Sequence, residues 1–165
     1  MNFTDFDREM RVYEESLDQV ILPELYMVAR LDGRSFTRLI KKVCRFDAPY
    51  DEKFRENMIA SVKHLMESGF RILYGYTQSD EISLLFHPEE NAFGRKVRKY
   101  NSVLAGEASA AFTYEAGIIA SFDCRIVPLP TIERIRIISF GVRKTIIEIA
   151  YIPTIIRCYE EIFFQ

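Results

Sequence analysis

Tryptophan is absent from this chain, and histidine and cysteine are scarce, at two and three residues of 165. Cys44, Cys124 and Cys158 are odd in number and widely spaced, with no CxxC pair. That excludes a disulfide framework and a zinc knuckle and fits a reducing compartment. His64 and His87 have no ligand set or triad around them, so neither is expected to be catalytic. Seven glycines and six prolines build no flexible linker, and there is no internal repeat or low-complexity stretch. No apolar run approaches the ~18 to 20 residues of a membrane span, and Met1-Asn2-Phe3-Thr4-Asp5-Phe6-Asp7 lacks the basic and apolar regions of a signal peptide. A soluble cytoplasmic protein with no membrane partner is expected. A dominant charge is missing too: the formal net charge is -2, so any contact with nucleic acid must come from a local cluster.

What is present is a chain of 48% hydrophobic and 28% charged residues, enough for one globular domain with a proper core. Thr4 is placed to cap a charged amphipathic helix through about Glu15, after which Leu22-Pro23-Glu24 resets the chain. Residues 25–31 read as a buried strand stopped by Asp32-Gly33. Ser35 is placed to cap a short helix over 35–42, and 46–50 form a loop. Residues 51–68 have a helical period, apolar at Phe54, Met58, Val62, Leu65 and Met66, with Gly69 as the stop. Residues 70–76 and 82–86 read as a hairpin across a polar connection. Residues 93–116 alternate basic and small residues at helical spacing, and 118–122 read as a fourth strand. The order βαββαβ predicts an α+β, ferredoxin-like fold with an antiparallel sheet and flanking helices.

That fold gives two acidic segments a common address. Right-handed crossovers set the first and third strands side by side in opposite directions, so Asp32 should face Asp80 across one edge. Two aspartates at adjacent strand ends can hold a pair of magnesium ions ~4 Å apart for phosphoryl transfer. Gly33 lets the backbone approach a metal or phosphate. Glu81 supplies a further carboxylate, which strand alternation turns to the face opposite Asp80, as an outer or structural acid. Asp-Gly and Ser-Asp are also ordinary turn formers, and only their meeting on one edge makes a candidate site. Arg95-Lys96-Val97-Arg98-Lys99 opens the long helix with Lys96 and Lys99 on one face, a spacing that suits phosphates and equally a solvated face. The start of that helix is expected beside the metal edge. Ser102 and Ser109 read as packing positions.

The segments Arg30-Leu31-Asp32-Gly33-Arg34-Ser35-Phe36, Phe46-Asp47-Ala48-Pro49-Tyr50-Asp51 and Tyr76-Thr77-Gln78-Ser79-Asp80-Glu81-Ile82-Ser83, with Asn101, Ser102 and Ser109 on the basic helix, carry a resemblance. Over about residues 22–129 the chain resembles the tRNA(His) guanylyltransferase family, in particular its short bacterial and archaeal Thg1-like branch. The resemblance implies a polymerase-like palm over residues 1–130 that extends RNA at its 5′ end, in the 3′-to-5′ direction. It implies Asp32, the Gly33 carbonyl and Asp80 as ligands of two magnesium ions, with Asp32, Asp80 and Glu81 as the catalytic acids. Gly33, Arg34, Ser35 and Phe36, with Ser79, would line the incoming nucleotide, and Lys96 and Lys99 would contact its triphosphate. ATP or GTP would activate a 5′-monophosphate, which the 3′-hydroxyl of an incoming nucleoside triphosphate then attacks. The implied partners are tRNA, nucleoside triphosphates and further copies of the chain in a dimer or tetramer. Ala48 stands where the family carries a basic residue.

Residues 131–165 diverge. After Leu129-Pro130 the family pattern is an Asp-Tyr-Phe-x-Trp-Arg-Gln-x-Asp helix, whereas this chain reads Ile137-Ile138-Ser139-Phe140-Gly141-Val142-Arg143-Lys144-Thr145. Read one nucleotide back, codons for 140–145 can encode Trp, Arg, Gln, Glu and Asp in the family's register, and those for 136–139 can encode Asp-Tyr-Phe. A reading-frame shift near residues 131–136 is the expectation, and the gene sequence tests it: incompatible codons would dismiss it. Two readings stay open beside the guanylyltransferase. One is a nucleotide cyclase-like palm; the other is a non-catalytic ferredoxin-like RNA-binding module, which would show aromatics on the sheet where Val28, Leu31, Ile82 and Leu84 stand.

Overall fold

A computed structural model describes residues 3–39 and 51–135. The loop expected at 46–50, the end of the helix expected over 35–42 and residues 136–165 lie outside the described residues. The elements are α1 (Phe3–Glu15), β1 (Tyr26–Gly33), α2 (Phe36–Arg38), α3 (Glu52–Met66), β2 (Ile72–Gln78), β3 (Glu81–Phe86), α4 (Val97–Ala116) and β4 (Phe122–Leu129). The strands form one antiparallel sheet in the order β2-β3-β1-β4, as the sequence predicts for the ferredoxin-like arrangement.

Strand alternation divides the core between the two faces. Met27, Ala29 and Leu31 of β1, Ile82, Leu84 and Phe86 of β3 and Phe122 of β4 join one buried cluster with Met58, Val62 and Leu65 of α3 and Tyr100, Leu104, Ala108 and Phe112 of α4. Each fully buried large side chain there contributes about 1.5–3 kcal/mol. The opposite face carries a smaller cluster, Val28, Leu85 and Ile135, with Tyr26, Tyr74 and Leu129 packed against it. Leu31, Ile82 and Leu84 therefore serve the side of α3 and α4, and the opposite face does carry aromatics. The residues expected on the sheet surface were assigned without regard to which face each occupied.

Local chemistry explains the boundaries. The carboxylate of Asp51 accepts from the Phe54 amide at 2.8 Å, so Asp51 caps α3 and lies outside it. Ser35 does not act as a side-chain cap: it sits in the left-handed region, φ 60°, with no capping bond. Gln78 pairs with Glu81, which compresses the hairpin connection to Ser79-Asp80, with Ser79 at φ 54°. The fourth strand is Phe122–Leu129, where residues 118–122 were expected. Gly117 ends α4 in the left-handed region and Ile119 is exposed, so this β-prone run forms the connection. Pro128 is tolerated because β4 is an edge strand.

The expected helix over 93–116 is likewise broken. A 3₁₀ turn, Ala92–Arg95, precedes α4, with Phe93, Gly94 and Arg95 at φ 52°, 60° and 59°. Buried Arg95 fixes this kink by donating to the carbonyls of Ile21 (3.0 Å), Leu22 (3.0 Å), Leu25 (2.7 Å), Glu90 (2.9 Å) and Pro88 (3.4 Å). α1 begins one residue before Thr4 and buries none of its side chains. No helix among the described residues is long and apolar enough to cross a membrane.

Candidate active site at the Asp32 edge

Cross-strand register arranges the face opposite α3 and α4 in rows. Asp32 stands directly opposite Glu81 on one side and Asp123 on the other, and Gln78 lies beyond Glu81. The next row holds Tyr76, Ser83, Arg30 and Arg125. An acidic row thus borders a basic one, and below both lies the apolar cluster of Val28 and Leu85. The side chains directly opposite one another in a sheet share a face, so Asp32, Glu81 and Asp123 point the same way.

Asp80 is brought to this row by the turn. Its carbonyl accepts from the Gly33 amide at 3.0 Å, and its carboxylate accepts from the Ser79 hydroxyl at 3.0 Å. Because Asp80 lies in the turn, the alternation argument that set Glu81 on the face opposite it does not apply. Glu81 is instead the cross-strand neighbour of Asp32, and the Arg30 guanidinium pairs with its carboxylate.

Among the described residues the Asp32 side chain has neither a hydrogen bond nor an ion pair. Its carboxyl is raised above the usual range, first by burial and then by the charges of Asp80, Asp123 and Glu81, with Arg125 opposing them. A half-buried carboxylate with no partner, surrounded by others, suits a hard cation with oxygen ligands. Among the described residues no three acidic, histidine or cysteine side chains are gathered tightly enough to cage a metal by themselves.

The remaining nucleotide-lining candidates divide. Arg34 leaves the end of β1 with its amide bonded to the Ser121 carbonyl at 2.8 Å, its side chain exposed beside Ser35. Phe36 turns inward, 1% exposed, with its ring 5.0 Å from those of Phe112 and Phe122. A Cβ on Gly33 would lie 2.4 Å from that ring, so the glycine is required by Phe36 whatever binds above it. Lys96 and Lys99 are not brought to Asp32. The start of α4 adjoins the beginning of β1: Val97 bonds to the Gln19 carbonyl, and Tyr100 packs on Phe86 at the far end of β3. Asp32 lies six residues further along β1, about 20 Å of extended chain.

Asp123 is the residue that sequence reasoning missed. With the fourth strand ended at 122 it fell outside the sheet, although the alternation Phe122, Cys124, Ile126 was there to be read. Cys124 faces the core, and burial pushes its thiol up to about 12, which leaves it unreactive. Ser109 bridges α4 to β4, donating to the Ala105 carbonyl and accepting from the Phe122 amide, in keeping with a packing role. His64 pairs with Glu107 across α3 and α4, and His87 accepts from the Glu89 amide.

A four-stranded antiparallel sheet with helices on one face and acids at the end of its central strands is a palm-like α+β domain. The chain belongs to the tRNAHis guanylyltransferase family, whose sequence model matches residues 7–130. It is 30% identical over 130 residues to the tRNA(His) guanylyltransferase of Debaryomyces hansenii, covering 72% of this chain and 49% of that protein. The Neurospora crassa enzyme is 29% identical over 127 residues, covering 70% and 43%. Among solved structures, a bacterial tRNA(His) guanylyltransferase (Thg1)-like protein in complex with GTP superposes with a TM-score of 0.68 at 27% identity, over 76% of this chain and 59% of that one. The tRNA(His) guanylyltransferase of Saccharomyces cerevisiae gives 0.69 at 25%, over the same shares. The chain spans about half the length of the curated relatives it matches.

Proposed function

We propose that this chain is a magnesium-dependent nucleotidyltransferase that adds nucleotides to the 5′ end of tRNA in the 3′-to-5′ direction. The observation that carries the reading is the Asp32 carboxylate, half-buried and without a partner among the described residues, beside Asp80 and between Glu81 and Asp123. Family membership favours this reading over a cyclase or a non-catalytic module. GTP and ATP bound to related bacterial proteins support nucleoside triphosphates as substrates.

In this reading Asp32, Asp80 and the Gly33 carbonyl would hold magnesium, which would supply charge neutralisation at the phosphates and a lowered pKa for the attacking hydroxyl. Asp32 and Asp80 orient the reacting groups at the strand ends. Glu81, held by Arg30, keeps that guanidinium in the row below the acids and fixes the charge around Asp32. The turn at Ser79 and the backbone of 33–36 shape the nucleotide seat, while Phe36 anchors the loop from beneath.

The test is incubation with a 5′-truncated tRNA, magnesium and labelled nucleoside triphosphates, alongside Asp32→Ala and Asp80→Ala. Label is expected in the RNA with the wild type and in neither variant. Cyclic nucleotide without labelled RNA would replace this reading with a cyclase, and RNA binding with no transfer would replace it with a binding module.

A further inference from the structure

The basic run at the start of α4 is left over from the Asp32 edge, and its surroundings are unusual. Phe93 and Arg95 both hold left-handed backbone, a conformation that strains a side-chain-bearing residue and persists only where neighbours impose it. Arg95 imposes it through its bonds to the carbonyls of Ile21, Leu22 and Leu25 before β1 and of Pro88 and Glu90 after β3. The result presents the Phe93 ring, 48% exposed, with the Lys99 ammonium 6.0 Å from its centre. Lys96 and Arg98 stand beside them but face inward partners. Lys96 meets Glu15 at 3.0 Å and Asp18 at 2.9 Å, and Arg98 also pairs with Asp18, whose side chain is only 8% exposed.

We propose that Phe93, Lys96, Arg98 and Lys99 form a second contact surface for RNA, a sheet length from the reacting edge, which Glu15 and Asp18 hold partly closed. An exposed aromatic ring among cations is the combination that binds single strands, the ring stacking a base and the cations tracking phosphates. The two acids occupy the positions that phosphates would take. α1 buries nothing of its own, so its hold on α4 rests on these ion pairs and on the backbone bonds at Gln19 and Ile21. RNA phosphates compete with Glu15, at the end of α1, and with Asp18, in the segment that follows it, for the same two cations, and the ion pairs give way.

This inference rests on the tRNA reading above, and its test uses binding so that the two can fail separately. Anisotropy of a labelled, 5′-truncated tRNA is measured against the full chain at 0.1 M salt, with and without GTP. Asp18→Asn and Glu15→Gln are each expected to tighten binding about two- to fivefold, the range of one exposed ion pair. Phe93→Ala is expected to weaken it fivefold or more, from the loss of a stacked base. Asp18 is buried and its replacement can loosen the junction, whereas Glu15 is exposed and reports the same competition in an intact fold. Unchanged or weaker binding by Glu15→Gln, or full displacement of the RNA by GTP, would overturn the proposal. Absence of nucleotide transfer would overturn the function proposed above and leave this measurement standing.

Discussion

Gly33 and Phe36 are three positions apart and decide each other. With the ring carbon 2.4 Å from where a Cβ would stand, Gly33→Ala forces Phe36 out of its contact with Phe112 and Phe122. A loss of about 1–3 kcal/mol, the usual cost of overpacking, is expected in urea unfolding. Asp32 shows the opposite behaviour. Its folded carboxyl lies above the ordinary 3.8, so folding favours the protonated form, and ionisation destabilises the native state once the pH rises through the folded pKa. Asp32→Asn is therefore expected to melt higher than the wild type at neutral pH, with the advantage fading as the pH falls through the raised folded pKa and gone below the ordinary 3.8. Nucleotide transfer by the same variant is expected to drop by about 10²–10³-fold, on the scale of removing one transition-state contact. A variant that melted lower at neutral pH would show that Asp32 is held by an attraction missing from this account.

At the scale of elements, what was legible depended on whether one periodicity governed the segment. α3 was readable because Met58, Val62 and Leu65 recur at helical spacing and Gly69 follows as a stop, while Asp51, read inside the helix, is its cap. The first three strands and their order were readable for the same kind of reason. β4 was misplaced because Ile118 and Ile119 are β-prone by type, while the strand is set by pairing to β1, which single-segment reading does not contain. The kink before α4 was hidden inside a basic run. Lys96, Arg98 and Lys99 look alike in sequence to Arg95, yet Arg95 is buried against five carbonyls. Arg95→Met is expected to cost about 3 kcal/mol or more in chemical denaturation, since several buried acceptors lose a charged donor together. The Asp32–Asp80 meeting was legible because it follows from strand order. Asp123 was not, because its place depends on β4.

For the whole molecule, the division of the sheet into the face under α3 and α4 and the face opposite separates the main core from the chemistry. The large core lies under α3 and α4, and the acids lie on the other side. Chelating magnesium is expected to abolish nucleotide transfer without changing the far-ultraviolet circular dichroism. Adding magnesium is expected to raise the wild-type melting temperature, as any ligand confined to the folded state does, and to leave that of Asp32→Asn nearly unmoved. A magnesium-independent melt in the wild type would count against metal at this edge. The strand order has one more consequence, and it concerns time. β1 precedes the other three strands of the sheet, so both of its neighbours come from later in the chain, and β4 is complete only at Leu129. Until then a growing chain carries its central strand with one side unpaired. The acids at its end, which repel one another in the finished sheet, also discourage that open strand from joining its counterpart on another ribosome.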